Sequence, residues 1–125
     1  MHTKLEILTL LKTFFDKSAS VYKIEMAFLY GSWARGFPKS FSDVDVAIVF
    51  SEEPCTEDEV FTIITDISLV LGKRLRVDVN VIPIHSDFRR PMLYYNAIVL
   101  GIPVFIGDQD RYISLRNQAI FQMED

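Results

Sequence analysis

Apolar and polar positions follow two rhythms along this chain, one of a helix face and one of a strand. Over residues 4–16, Leu5, Leu8, Leu11 and Phe15 recur at helical spacing while Lys4, Glu6 and Lys12 fall on the other side, which predicts an amphipathic helix. "KIEMAFLY" then reads as a strand. From Gly31 to Ser42 the chain carries "GSWARG" followed by Phe37-Pro38-Lys39-Ser40, the composition of a turn with one short helical piece. "DVDVAIVF", residues 43–50, is a second strand. Val60, Phe61, Ile64, Ile67 and Leu71 predict a helix from Glu57 to Leu71, with Gly72 just past its end as a C-cap. In "RLRVDVNVIP", Val77, Val79 and Val81 alternate with Arg76, Asp78 and Asn80, the period of a third strand. Pro91 suits the first position of a helix that runs to Leu100 and stops at Gly101, and "IPVFIG" is a short strand whose Pro103 fits only an edge. The final residues read as one more helix.

The resulting order, α-β-(turn/α)-β-α-β-α-β-α, implies an α/β (α+β) fold in which a small mixed sheet is flanked by helices, its strands buried on one face. Residues 1–125 read as a single domain, without repeat, low-complexity tract or Gly/Ser linker. A chain of 125 residues buries one core. Half of its residues are hydrophobic and the mean hydropathy is +0.20, so an apolar surface, and with it a partner, is expected.

Charge and cysteine usage narrow the classes further. With 13 Lys+Arg against 17 Asp+Glu the formal net charge is -4, and the basic residues are scattered apart from Lys73-Arg74-Arg76 and Arg89-Arg90. This balance argues against a stable grip on nucleic acid. Cys55 is the only cysteine, so no internal disulfide forms, and no zinc-type Cys/His spacing is present; His2 and His85 are single and read as surface residues. The N-terminus lacks the order of a signal peptide, and no apolar run approaches the ~20 residues that cross a bilayer. The expected location is the cytoplasm.

The chemistry concentrates in residues 28–50. Residues two apart on a strand share a face, so Asp43 and Asp45 present both carboxylates to one point while Val44 and Val46 face the core. Two like charges so close are unfavourable unless a cation lies between them, and hard oxygen ligands select Mg2+ or Mn2+. Asp78 is a third carboxylate at a polar position of an apolar strand, and the three converge if strands 43–50 and 75–82 are neighbours. Gly31-Ser32 stands where a strand turns, so its backbone N–H groups and the Ser32 hydroxyl can meet an anion. Carboxylates for a divalent metal facing a Gly-Ser turn for phosphate describe a site for a metal-bound nucleoside triphosphate. Asp43 after Ser42 could instead belong to a turn, and a Gly-Ser pair alone is common in loops.

"YGSWARGFPKSFSDVDVAIVF" with the later "RVDVNVI" resembles the DNA polymerase beta-type nucleotidyltransferase superfamily, and within it the minimal nucleotidyltransferases, the MNT proteins. The resemblance spans almost the whole chain, including "NAIVLGIPVFIGDQDRY" near its end. It implies the polymerase beta-like fold, Asp43, Asp45 and Asp78 as catalytic ligands of two Mg2+ ions, and Gly31 and Ser32 at the triphosphate of ATP. Arg35 either reaches a phosphate or pairs with an acidic neighbour. Phe37 departs from the pattern, where a polar residue is common. Trp33 and Tyr30 could stack on a base, although for Tyr30 packing against the first helix is the better reading. Arg74 and Arg76 form either a solvated strand end or a neutralising pair for a triphosphate or pyrophosphate. The resemblance further implies a HEPN-domain ribonuclease toxin as partner and acceptor, AMP being transferred from ATP to one of its tyrosines. The alternatives are an antitoxin that silences by contact alone, and transfer to a small molecule such as an aminoglycoside.

Overall fold

The computed structural model describes residues 2–36 and 42–124. In chain order the elements are α1 (Lys4–Tyr22), β1 (Ile24–Tyr30), α2 (Ser32–Arg35), β2 (Val44–Phe50), α3 (Glu57–Leu75), β3 (Val79–Pro83), α4 (Pro91–Ile98), β4 (Ile102–Ile106) and α5 (Gln109–Gln122). The strands form one mixed sheet in the order β3-β2-β1-β4. β1 is antiparallel to β2 and to β4, whereas β2 and β3 run parallel. Pro103, which has no N–H to give a second neighbour, lies in the edge strand β4 as expected.

Local chemistry explains the helix starts. The Thr3 hydroxyl accepts from the Glu6 N–H at 3.1 Å and the Thr56 hydroxyl accepts from the Glu59 N–H at 3.1 Å, each satisfying a backbone donor that the first helical turn leaves open. Glu57, Asp58 and Glu59 in the first turn of α3, with Lys73 and Arg74 in its last, complement the helix dipole.

Both faces of the sheet are covered, where the sequence suggested one. Met26, Ala27, Phe28 and Leu29 of β1 are all fully buried, because alternate side chains enter two different cores. Ala27 and Leu29 pack with Ile7, Leu11 and Phe15 of α1 and Ile67, Leu71 and Leu75 of α3. Met26 and Phe28 pack with Tyr94, Ala97 and Ile98 of α4 and Ala119 of α5. Each of these large side chains contributes about 1.5–3 kcal/mol relative to exposure.

Several boundaries shift for the same reason. Helix α1 runs beyond residue 16 to Tyr22, since Ala19 is still buried, and turns at Lys23 with φ 56°. Its inward stripe is Ile7, Leu11, Phe14 and Phe15, which leaves Leu5 72% exposed. In α3 the chain does not stop at Gly72. Leu75 is fully buried, so packing carries the helix one turn further, and Arg76 takes the left-handed cap at φ 58°. Phe61 points outward.

Candidate active site

The parallel pairing of β2 with β3 sets out the site. Asp45 stands in register with Asn80 on one side and with Tyr30 on the other, so a row Asn80, Asp45, Tyr30 crosses three strands. The Asn80 side-chain amide donates to Asp43 Oδ2 at 3.2 Å and to Asp45 Oδ1 at 3.2 Å. One neutral donor thereby holds two carboxylates together on the same face, as their spacing required. Burial first, and the neighbouring Asp43 charge as well, push the Asp45 carboxyl above the usual carboxylate range, while the Asn80 bond pulls it back. Burial likewise pushes the Tyr30 phenol up to about 12, Asp45 adding to the rise and Arg90 opposing it.

Gly31 closes the site from the side of β1. Its backbone, at φ 75° and ψ -153°, occupies a region that side chains disfavour, and a Cβ there would lie 2.5 Å from Asp45 Oδ2. The turn and the carboxylate therefore lie against each other, an approach that only glycine permits. Ser32 follows as the first residue of α2, half-buried, and Arg35 ends that helix exposed, with no ion pair among the described residues.

Asp78 takes a different position from its two partners in sequence. It precedes β3, its carbonyl accepts from the Val44 N–H at 2.9 Å, and its exposed side chain lines a cleft together with Asp43 and Asn80. Among the described residues no three carboxylates close into one metal-binding group. Like-charge repulsion opposes that closure, and the Asn80 amide between Asp43 and Asp45 relieves it for only two of them. The donor chemistry fits a hard divalent cation all the same: two carboxylates on one face, one resisting ionisation beside the other, with the Asp78 carboxylate lining the same cleft as Asp43.

The aromatic residues serve the core. Trp33 is 4% exposed, packs on the α1 side and donates from Nε1 to the Ser42 carbonyl at 3.1 Å. Tyr30 packs on the opposite face, among α4 and α5 residues, so its expected packing against α1 is corrected. His2 Nε2 donates to the Leu75 carbonyl at 2.7 Å, tying the start of the chain to the end of α3. Phe37 and the Phe37-Pro38-Lys39-Ser40 turn lie outside the described residues. Asn80 had not stood out as a site residue, although the strand period that places it on one face with Asp78 carried its signal; Arg90, marked in the sequence only by the Arg89-Arg90 pair, acts here through its charge near Tyr30.

Residues 11–110 match the sequence model of the family described as Polymerase beta, Nucleotidyltransferase. No curated protein sequence matches the chain significantly. Among solved structures, a chain from a toxin–antitoxin crystal structure with AMP-PNP aligns at TM-score 0.70 and 18% identity, over 89% of this chain and 85% of that one. A chain from the complex of tri-AMPylated Shewanella oneidensis HEPN toxin with MNT antitoxin aligns at TM-score 0.65 and 17% identity, over 92% of this chain and 85% of that one. A chain from the toxin–antitoxin MntA-HepT aligns at TM-score 0.64 and 16% identity, over 91% and 85% respectively. At such identities these likenesses establish the shared fold.

Proposed function

The chain belongs to the polymerase beta-type nucleotidyltransferase family, and from that premise we propose that it is a Mg2+-dependent protein adenylyltransferase. In this reading it acts as the antitoxin of a HEPN/MNT pair and moves AMP from ATP to a tyrosine hydroxyl of its HEPN ribonuclease partner. The observation that carries the proposal is the apposition of the Gly31 turn and the Asp45 carboxylate, with Asp43 drawn alongside by Asn80. A phosphate-binding turn and cation-binding carboxylates within contact distance are what a metal-bound triphosphate needs. The assemblies in which the fold neighbours occur support the choice of partner. Exposed Leu5, Phe61 and Phe121, at 72%, 66% and 71%, supply apolar area for contact with a protein.

Asp43, Asp45 and Asp78 would hold the divalent cations, and such ions lower the pKa of an attacking hydroxyl and neutralise departing phosphate charge when bound. The chain's own residues position the reactants. Backbone N–H groups after Gly31 and the Ser32 hydroxyl receive the triphosphate, and Arg35 reaches its outer charge. The acceptor oxygen bonds to the α-phosphorus, the bond from that phosphorus to the bridging oxygen breaks, pyrophosphate leaves with the electron pair, and the hydroxyl proton passes to water. Alignment and charge neutralisation supply most of the rate.

Intact-mass spectrometry of the HEPN partner, co-expressed with this chain and with its Asp43→Asn variant, tests the proposal. A gain of one or more AMP with the wild type and none with the variant is expected; an unmodified but silenced partner would establish inhibition by contact alone. Calorimetry provides the metal test, since ATP should bind with Mg2+ and lose affinity with EDTA, and equal affinity in both conditions excludes the metal-bridged site.

A further inference from the structure

Two segments of the site meet on the β1 side: α2, which begins with Ser32 after Gly31, and the residues that lead into β2, which carry Asp43. The registered pairing of β1 with β2 ends at Tyr30 and Asp45, so Ser32 and Asp43 both lie beyond the ladder. A side chain joins the two segments there. The Trp33 indole Nε1–H donates to the Ser42 carbonyl at 3.1 Å, across nine positions of sequence. One end of this bond is the residue after Ser32, and the other is the residue before Asp43. The indole has little room to move, since Trp33 is 4% exposed and belongs to the same buried cluster as Ile7 of α1 and Val44 of β2. The far end of α2 is held as well, because Lys4 Nζ of α1 donates to the Ala34 carbonyl at 3.0 Å.

We infer that Trp33 is a positioning residue for the transfer: its indole, anchored in the α1 core, sets the spacing between the Ser32 turn and the Asp43 carboxylate. The inference rests on the adenylyltransferase reading above. A ring buried in this way does not stack on a base, and its one polar atom is spent on the Ser42 carbonyl. The two carboxylates are held differently. Asp45 stands within both ladders and against Gly31, whereas Asp43 precedes them, its carboxylate held by Asn80 and its backbone by the bond to the carbonyl before it. Without the indole donor that carbonyl loses a bond to a fixed group, and the segment carrying Asp43 gains freedom. A phosphate on the turn and a cation on the carboxylates cooperate only while the two supports keep one spacing, and misplacement by about 1 Å costs on the order of 100-fold in rate.

The test uses Trp33→Phe, which keeps an aromatic ring in the core and removes the donor. Ile7→Val is its control, since Ile7 is fully buried in the same cluster and the substitution leaves the indole bond in place. Transfer of AMP to the HEPN partner, from ATP labelled at the α-phosphate, is measured where circular dichroism shows each protein fully folded. Trp33→Phe should lower kcat about tenfold or more and raise the Mg2+ concentration that gives half the maximal rate, with the KM for ATP within about twofold of the wild-type value. Ile7→Val should melt lower and keep all three. The wild type supplies a readout without turnover. Trp33 is the only tryptophan, so its indole N–H gives a single resonance in the proton–nitrogen correlation spectrum. In metal-free protein that proton should exchange slowly with solvent, and its resonance should shift when Mg2+ is added to the wild type but not to Asp43→Asn. The inference is overturned if Trp33→Phe keeps the wild-type kcat and Mg2+ dependence, if Ile7→Val loses as much kcat, or if the indole proton exchanges freely or ignores Mg2+. A wild type that transfers no AMP, yet shows the protected resonance and its Asp43-dependent shift, would remove the adenylyltransferase reading and keep Trp33 as the tether between turn and carboxylate.

Discussion

Replacing Gly31 by alanine tests whether the turn and the carboxylate act as one unit. The new Cβ would lie 2.5 Å from Asp45 Oδ2, so restoring an ordinary contact near 3.5 Å needs a movement of about 1 Å. Asp45 has little freedom to give way, because Asn80 holds its other oxygen and Tyr30 stands beside it in register. The backbone adds a second cost. At φ 75° and ψ -153° a residue other than glycine loses about 1–3 kcal/mol. A displacement of about 1 Å at the reacting centre costs on the order of 100-fold in rate. The Gly31→Ala protein should therefore melt several degrees below the wild type and, assayed where it is fully folded, transfer AMP about 100-fold more slowly. Gly36→Ala is the internal control. Gly36 also has a positive φ, 84°, but a Cβ there meets nothing within 4 Å, so it should lose stability by about 1 kcal/mol and keep its transfer rate. Calorimetric melting and transfer of labelled AMP read the two effects apart. A Gly31→Ala protein with the wild-type rate would refute the idea that close approach of turn and carboxylate positions the site.

Three further outcomes are expected. Asp45→Asn keeps the shape and the Asn80 contact but removes a charge that burial and Asp43 both disfavour, so it should melt at or above the wild-type temperature while losing Mn2+ binding by calorimetry; retained metal affinity would contradict the ligand assignment. Gly101→Ala places a Cβ 2.2 Å from the Ala97 carbonyl oxygen and 2.7 Å from that of Leu29, both backbone atoms, and should cost about 3 kcal/mol in urea unfolding. Thr56→Ala removes the acceptor of the Glu59 N–H at the start of α3 and should cost about 1 kcal/mol, read by the same unfolding curves with no change in transfer rate.

Much of the architecture is a matter of short-range chemistry and was legible in the chain. Periodicity announced α1, α3 and β3, turn composition the short α2, and Pro91 with Gly101 the limits of α4, while Pro103 placed β4 at an edge and the Asp-x-Asp spacing put Asp43 and Asp45 on one face. The Gly-Ser pair after an apolar strand marked the turn that lies against them. Period states which residues share a face, but not what covers that face. Only tertiary packing decided that β1 is buried from both sides, that Tyr30 belongs with α4 and α5, and that a buried Leu75 carries α3 past Gly72. The same long-range pairing of β2 with β3 brought Asn80 between Asp43 and Asp45 and left Asp78 on the wall of a cleft that Asp43 and Asn80 also line. Arg74 and Arg76 are two residues apart in sequence, yet one cation covers Phe14 and the other faces the cleft. That separation arises because the chain turns out of its helix at Arg76, and a burial contact far away in sequence determines where the helix ends.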